Sequence, residues 1–103
     1  MPELRGIHRI TLDKMRPALV LTRPWAVERL SRVVVAPITS TVRGLDTEVP
    51  VGTANGLAHD SVVNLDSIQL VRREDLGRSI GFLLADQEQA LTEALIAAFD
   101  LQT

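Results

Sequence analysis

The residues best suited to chemistry in this chain stand at the ends of two apolar runs. Arg16-Pro17-Ala18-Leu19-Val20-Leu21 begins with an arginine locked against a proline. Val33-Val34-Val35-Ala36-Pro37-Ile38-Thr39-Ser40-Thr41 runs out into three hydroxyl residues, followed by Arg43-Gly44. Each run is β-branched or aliphatic and reads as a buried strand. A core has no use for the polar ends. Pro17 restricts Arg16 to extended geometry, which fixes where its side chain leaves the strand. A guanidinium offers two parallel donors to phosphate oxygens and is a poor proton donor or acceptor. Its expected work is charge stabilisation, with proton transfer secondary. Thr39 can donate its hydroxyl to a non-bridging oxygen. Ser40 and Thr41 cap turn backbone or touch substrate less directly. A fixed guanidinium beside fixed hydroxyls suits binding and reacting a phosphate. The ordinary alternative is a surface arginine in a salt bridge and a threonine capping a turn.

The elements that must position these residues are short. Ile7–Leu12 reads as a weakly alternating strand, Arg16–Thr22 and Ser31–Pro37 as buried strands, and Arg23–Arg29 as a connection with room for one helical turn. Gly44-Leu45-Asp46 is a turn, and Thr47–Val51 continues as strand. Gly52–Asp60 is a loop, Ser61–Leu65 and Ile68–Val71 are strands, Arg73–Arg78 is a turn region, and Ser79–Leu83 is a last strand. A helix then opens on Asp86, Gln87, Glu88 and Gln89. Its stripe of Leu91, Ala94, Leu95, Ala98 and Phe99 is expected to pack on the sheet. The fold class is mainly β with a C-terminal helix, a small barrel or sandwich, and residues 1–103 make one domain.

Composition narrows the setting. Hydrophobic residues make up 46% of the 103 positions and aromatics only 3%, so the chain is globular with an aliphatic core. A core this small favours an oligomer. There is no cysteine, and the two histidines are far apart in sequence with no H-x-x-x-H pair, so no metal site or cofactor is expected. No apolar stretch reaches membrane-span length and no signal-peptide pattern opens the chain, so the expected location is the cytoplasm. The net charge of −2 does not itself point to nucleic acid, but all the basic residues except Lys14 are arginine. Arginine is the side chain for forked phosphate contacts and base stacking. A GC-rich genome would give the same bias.

The two runs also resemble the signature segments of the MazF/PemK toxins. The likeness continues with T-E-V at Thr47–Val49, G-L at Gly56-Leu57, D-S-V-V-N-L-D at Asp60–Asp66, L-G at Leu76-Gly77 and I-G at Ile80-Gly81. Each piece is weak alone, and their order and spacing are specific. The resemblance implies an SH3-like barrel of the MazF/CcdB type with a C-terminal helix, assembled as a homodimer. It implies metal-independent RNA cleavage, restrained by a cognate MazE-like antitoxin. Under it, Arg16 and Thr39 are the catalytic pair. Arg16 and Thr39 together favour this reading over two others. One is an idle barrel that binds only protein; the other is a relative of the gyrase poisons, which share the fold and lack the pair.

In this setting the chemistry is attack of a 2′-hydroxyl on the adjacent phosphorus, leaving a 2′,3′-cyclic phosphate and a 5′-hydroxyl. Asn64 and Asp66 lie two apart on one strand and so face one side. By resemblance that strand lines the substrate groove, and Asp66 reads a base edge; the plainer role is a strand-end aspartate. His59 sits in a polar loop. His8 is the better placed of the two histidines for substrate, since its segment lies near Arg16 if the first two strands pair. Arg43, with Arg23, Arg72, Arg73 and Arg78, is a candidate phosphate track. Trp25 could stack on a base, or pack at a dimer interface or on the neighbouring connection. The family usually opens R-G-D-[IV]-W and runs through a long loop that folds over RNA. Here Ile7, His8 and Arg9 follow Arg5-Gly6, and that loop is nearly deleted. The expected result is a more open groove that also admits structured RNA, such as a tRNA anticodon loop. Ser67 and Gln69 stand where relatives often carry Gln and Arg, which changes the inherited base preference.

Overall fold

The computed structural model describes residues 3–102. Strands β1 (Gly6–Thr11), β2 (Met15–Val20), β3 (Arg32–Thr39), β4 (Glu48–Val51), β5 (Ser61–Asn64), β6 (Gln69–Arg72) and β7 (Ser79–Phe82) form one curled sheet. Helix α1 (Pro24–Val27) is the single turn expected between β2 and β3, and α2 (Glu88–Phe99) closes the chain. This is the expected mainly β fold with a C-terminal helix, with strand bounds moved by a residue or two.

The sheet runs β4-β5-β3-β2-β1-β7, with β6 also paired to β3. β3 therefore changes partners along its length. Residues Arg32 to Val35 pair with β6, and Ile38 and Thr39 pair with β5. Pro37 sits at the changeover, where its missing N–H deprives neither ladder. The middle of the sheet is buried on both faces, which explains the unbroken apolar runs. Leu19, Ala36 and Ile38 pack with Val49, Val63, Leu83 and the helix residues Leu91 and Ala94. Their alternate neighbours Ala18, Val20, Val33 and Val35 form a second cluster with Ile10.

Two sequence expectations fail here. Phe99 was placed on the packed stripe of α2, but it is 57% exposed. At roughly 100° per residue it lies about 80° round the helix from Leu91, whereas Ala98 returns to within about 20°. Asp100 then ends the helix in the left-handed conformation, φ 51°, and the Leu101 N–H donates back to the Ile96 carbonyl. Asp66 was placed on a strand with Asn64. β5 ends at Asn64 and Asp66 lies in the turn that follows, so the two do not share a strand face. Among the described residues, no helix is long and apolar enough to cross a membrane.

Candidate active site

The register of the sheet brings the ends of the two runs together. The β2–β3 ladder pairs Val20 with Val35, Leu19 with Ala36 and Ala18 with Pro37, then stops. Two steps further along the same register, Arg16 falls opposite Thr39. Alternation puts both on the face of the second cluster, since Arg16 follows Ala18 and Val20, and Thr39 follows Val33 and Val35. Where the ladder stops, a groove of about 690 Å³ opens, and Arg16, Pro17, Ile38, Thr39, Ser40 and Thr41 line it.

Arg16 is held, not free. Its Nε and Nη2 donate to the two carboxylate oxygens of Asp13 at 3.0 and 2.9 Å. The Arg16 side chain is 18% exposed and that of Asp13 71%, so the carboxylate covers one edge of the guanidinium from the solvent side. A guanidinium has five N–H donors, so three remain for a ligand. Partial desolvation raises the Asp13 pKa, but hydrogen bonds from Arg16 and the backbone, with the Arg16 charge, outweigh it and hold it below the ordinary carboxylate value. Asp13 is placed by the tight β1–β2 hairpin. Thr11 pairs with Met15, leaving only Leu12, Asp13 and Lys14 in the turn, and the Leu12 N–H donates to the Lys14 carbonyl at 3.0 Å. A three-residue turn thus sets a carboxylate on Arg16.

Thr39 also has a local partner. Its Oγ1 accepts the Thr41 N–H at 3.1 Å. That bond uses a lone pair and leaves the hydroxyl proton to donate into the groove. The capping role expected of Ser40 and Thr41 therefore belongs to Thr39. Ser40 and Thr41 are exposed in the groove, and among the described residues their hydroxyls bond no other residue.

The groove is cationic although the chain is not. Arg9, Lys14, Arg16 and Arg78 line it, and no Asp or Glu does. Of the candidate phosphate track only Arg78 arrives. Arg72 pairs with Glu74 and Asp75, Arg73 donates to the Val27 and Glu28 carbonyls, and Arg23 lies 4.5 Å over the Trp25 ring. Arg43 lies in an exposed loop outside the groove lining; its N–H and those of Gly44 and Leu45 point at the Glu48 carboxylate.

The other candidates lie elsewhere. His8 Nδ1 donates to the Gly77 carbonyl at 3.0 Å, and the residue lines a separate cleft with Trp25 and Phe82. β1 and β2 do pair, but His8 lies opposite Ala18 while Ile10 is the residue opposite Arg16. Asn64 Oδ1 accepts the Asp66 N–H at 2.9 Å and its Nδ2 donates to Ser67. The Asp66 carboxylate accepts the Thr47 hydroxyl at 2.6 Å, tying the start of β4 to the β5–β6 turn. Neither lines the groove. His59 does, from the loop before β5. Asp13 was missed altogether; an acid three residues before an arginine across a tight turn was the available signal. Among the described residues, no three His, Cys, Asp or Glu side chains gather as metal ligands.

Comparison with known proteins places the chain in a family. The family model for PemK-like, MazF-like toxins of type II toxin-antitoxin systems matches residues 9–99. The chain is 57% identical over 98 residues to Endoribonuclease MazF3 of Mycobacterium tuberculosis, covering 95% of each chain. The solved structure titled Mycobacterium tuberculosis toxin MazF-mt6 superposes with a TM-score of 0.93 at 56% identity, over 96% of this chain and 100% of that one. A mycobacterial endoribonuclease in complex with its cognate antitoxin superposes with a TM-score of 0.84 at 25% identity, over 98% of each. A groove built by the two signature runs, a family match across nearly the whole chain and a relative of this identity lead to one conclusion: the chain belongs to the MazF endoribonuclease family of type II toxin–antitoxin systems.

Proposed function

We propose that this chain is the toxin of a type II pair and cleaves RNA at the Arg16–Thr39 groove without a metal. The observation that carries the reading is a guanidinium fixed by Asp13 opposite a threonine hydroxyl, in a groove lined by four cations and no acid. The 2′-oxygen attacks the adjacent phosphorus and the bond to the 5′-oxygen breaks. Overall, the proton lost by the 2′-hydroxyl is balanced by one gained at the leaving 5′-oxygen, giving a 2′,3′-cyclic phosphate and a 5′-hydroxyl. Negative charge builds on the non-bridging oxygens between these events. The free N–H groups of Arg16 and the Thr39 hydroxyl stabilise it there, and preorganised charge of this kind is usually the largest catalytic contribution. Ser40 and Thr41 supply further donors along the groove.

The three-residue β1–β2 turn leaves no flap over the groove on that side. We therefore take structured RNA, such as a tRNA anticodon loop, as a substrate beside single strands; a cleavage map confined to unstructured RNA would count against this. The chain works as a homodimer in the cytoplasm, held in check by a MazE-like antitoxin. The exposed Trp25 and Phe82, 61% and 48% accessible, are apolar surface that such partners would cover. The deciding experiment incubates the purified chain with an RNA pool in EDTA, beside Arg16→Ala and Thr39→Ala, and maps the new 5′ ends. Cleavage by the native chain alone, leaving cyclic phosphate, is the expected result. No cleavage, or equal cleavage by the variants, refutes the reading.

A further inference from the structure

Several of the arginines in this fold are committed to protein partners. Arg5 is bound to Glu88, Arg16 to Asp13, Arg72 to Glu74 and Asp75, and Arg73 to carbonyls. Two in the groove are not. Arg9 and Arg78 are both exposed, both line the groove, and neither guanidinium has an acidic partner among the described residues. Their backbones are joined. The Arg9 N–H donates to the Arg78 carbonyl at 2.9 Å, and the Gly77 N–H donates to the Arg9 carbonyl at 2.7 Å. Gly77 makes this approach possible, because a Cβ there would stand 2.7 Å from the Arg9 carbonyl oxygen. On its other side Arg9 pairs with Pro17, the residue after Arg16. Neighbouring strands lie roughly 4.8 Å apart. The backbones of Arg78, Arg9 and Pro17 therefore form a row across the strands, one residue short of Arg16; alternation sets the Arg9 and Arg16 side chains on opposite faces, so the two reach the groove from its two sides.

We infer that Arg9 and Arg78 form a second phosphate-binding position, which takes a phosphodiester flanking the one held at Arg16. The inference rests on the RNA-cleavage reading and extends it: the preferred substrate is a strand with consecutive phosphates, not an isolated linkage. The two arginines hold the chain in register without contributing to bond cleavage.

The test separates binding from cleavage. A short single-stranded oligonucleotide is made with 2′-deoxy residues throughout, so that it binds and has no 2′-hydroxyl to attack. A second set replaces one flanking phosphate at a time with a neutral methylphosphonate. Arg9→Gln and Arg78→Gln should each weaken binding about tenfold at low salt. Each should also make the slope of log affinity against log salt shallower by about 0.7, the value for one single-strand phosphate contact. One neutral linkage should weaken binding to the native chain about tenfold and have no added effect on the double variant. An unchanged salt slope, or a neutral-linkage penalty that persists in the double variant, overturns the assignment. The all-ribose oligonucleotide settles the other question. If it is bound as predicted and both it and the RNA pool stay intact, the cleavage reading falls and the second phosphate position stands.

Discussion

Arg16→Lys is the sharpest test of the site, because it keeps the charge and removes the fork. Arg16 spends Nε and one Nη2 proton on Asp13 and retains three N–H donors. A lysine ammonium has three donors radiating from one point. One of them would be drawn to Asp13, and the remaining two cannot both hold Asp13's orientation and span two phosphate oxygens. The variant loses about one charge-assisted hydrogen bond to the developing phosphorane, roughly 1.5–3 kcal/mol. That corresponds to a fall of about 10- to 150-fold in rate. Arg16→Ala removes the charge too and should cost roughly 10²–10³-fold, as for loss of a preorganised donor in other sites. The assay is single-turnover cleavage of a short RNA, with the cyclic phosphate product quantified. The loss should appear in kcat more than in KM, since the contact strengthens as charge develops. If lysine cleaves within about threefold of arginine, bidentate stabilisation by Arg16 is wrong.

Other perturbations follow from the same contacts. Thr39→Val removes both the donor to phosphate and the acceptor of the Thr41 N–H; cleavage should slow about 10- to 100-fold, and Thr39→Ser should recover most of it in the same assay. Asp13→Asn should loosen the Arg16 plane and lower kcat about tenfold with little change in KM. The Asp13 pKa is lowered in the fold, so its pairing is present above the unfolded carboxylate value of about 3.9 and fades as pH falls through the folded value. The Tm difference between native chain and Asp13→Asn should therefore be constant above about pH 5 and shrink in stronger acid, and a difference that grows on acidification would contradict this. Asn55→Ala should destabilise by about 3 kcal/mol. Asn55 is 1% exposed; its Nδ2 donates to the Phe82 carbonyl and Gln87 at 2.9 and 2.6 Å, and its Oδ1 accepts the Gly52 N–H at 3.0 Å. Thermal denaturation should show a Tm lower by roughly 12–24 °C. A drop under about 4 °C would mean that water replaces these bonds.

The strands were legible because both faces of the middle sheet are buried, so β2 and β3 read as continuous aliphatic runs. The helix was legible from its spacing up to Ala98; Phe99 misled because hydrophobicity alone does not report that the stripe has rotated away. Within the site, Arg16 and Thr39 were visible through Pro17 and Pro37, which mark where ladders begin or change partner. What stayed hidden depended on pairings that sequence does not state. Asp13 needs the hairpin to close at three residues, and Arg9 needs Gly77 to bring Arg78 beside it. His8 was favoured by the correct expectation that β1 pairs with β2. Strand pairing alone does not say which residue faces which; the register set Ile10, not His8, opposite Arg16.

The shortened hairpin links these results. A long connection before Arg16 would leave its guanidinium to be ordered by whatever folds over it. A three-residue turn instead places Asp13 three residues before Arg16, close enough for a bidentate pair, so the guanidinium is oriented by the fold itself. Orientation set in the empty protein is not deducted from binding energy later. The same turn leaves the groove's edge at Arg9 and Lys14 uncovered. The Asp13–Arg16 pair thus stands preformed beside an open cationic rim. On that basis, inserting a long loop between Thr11 and Met15 should weaken the Asp13–Arg16 pair and, if the chain cleaves RNA as proposed, narrow the range of RNA structures cut in a cleavage map.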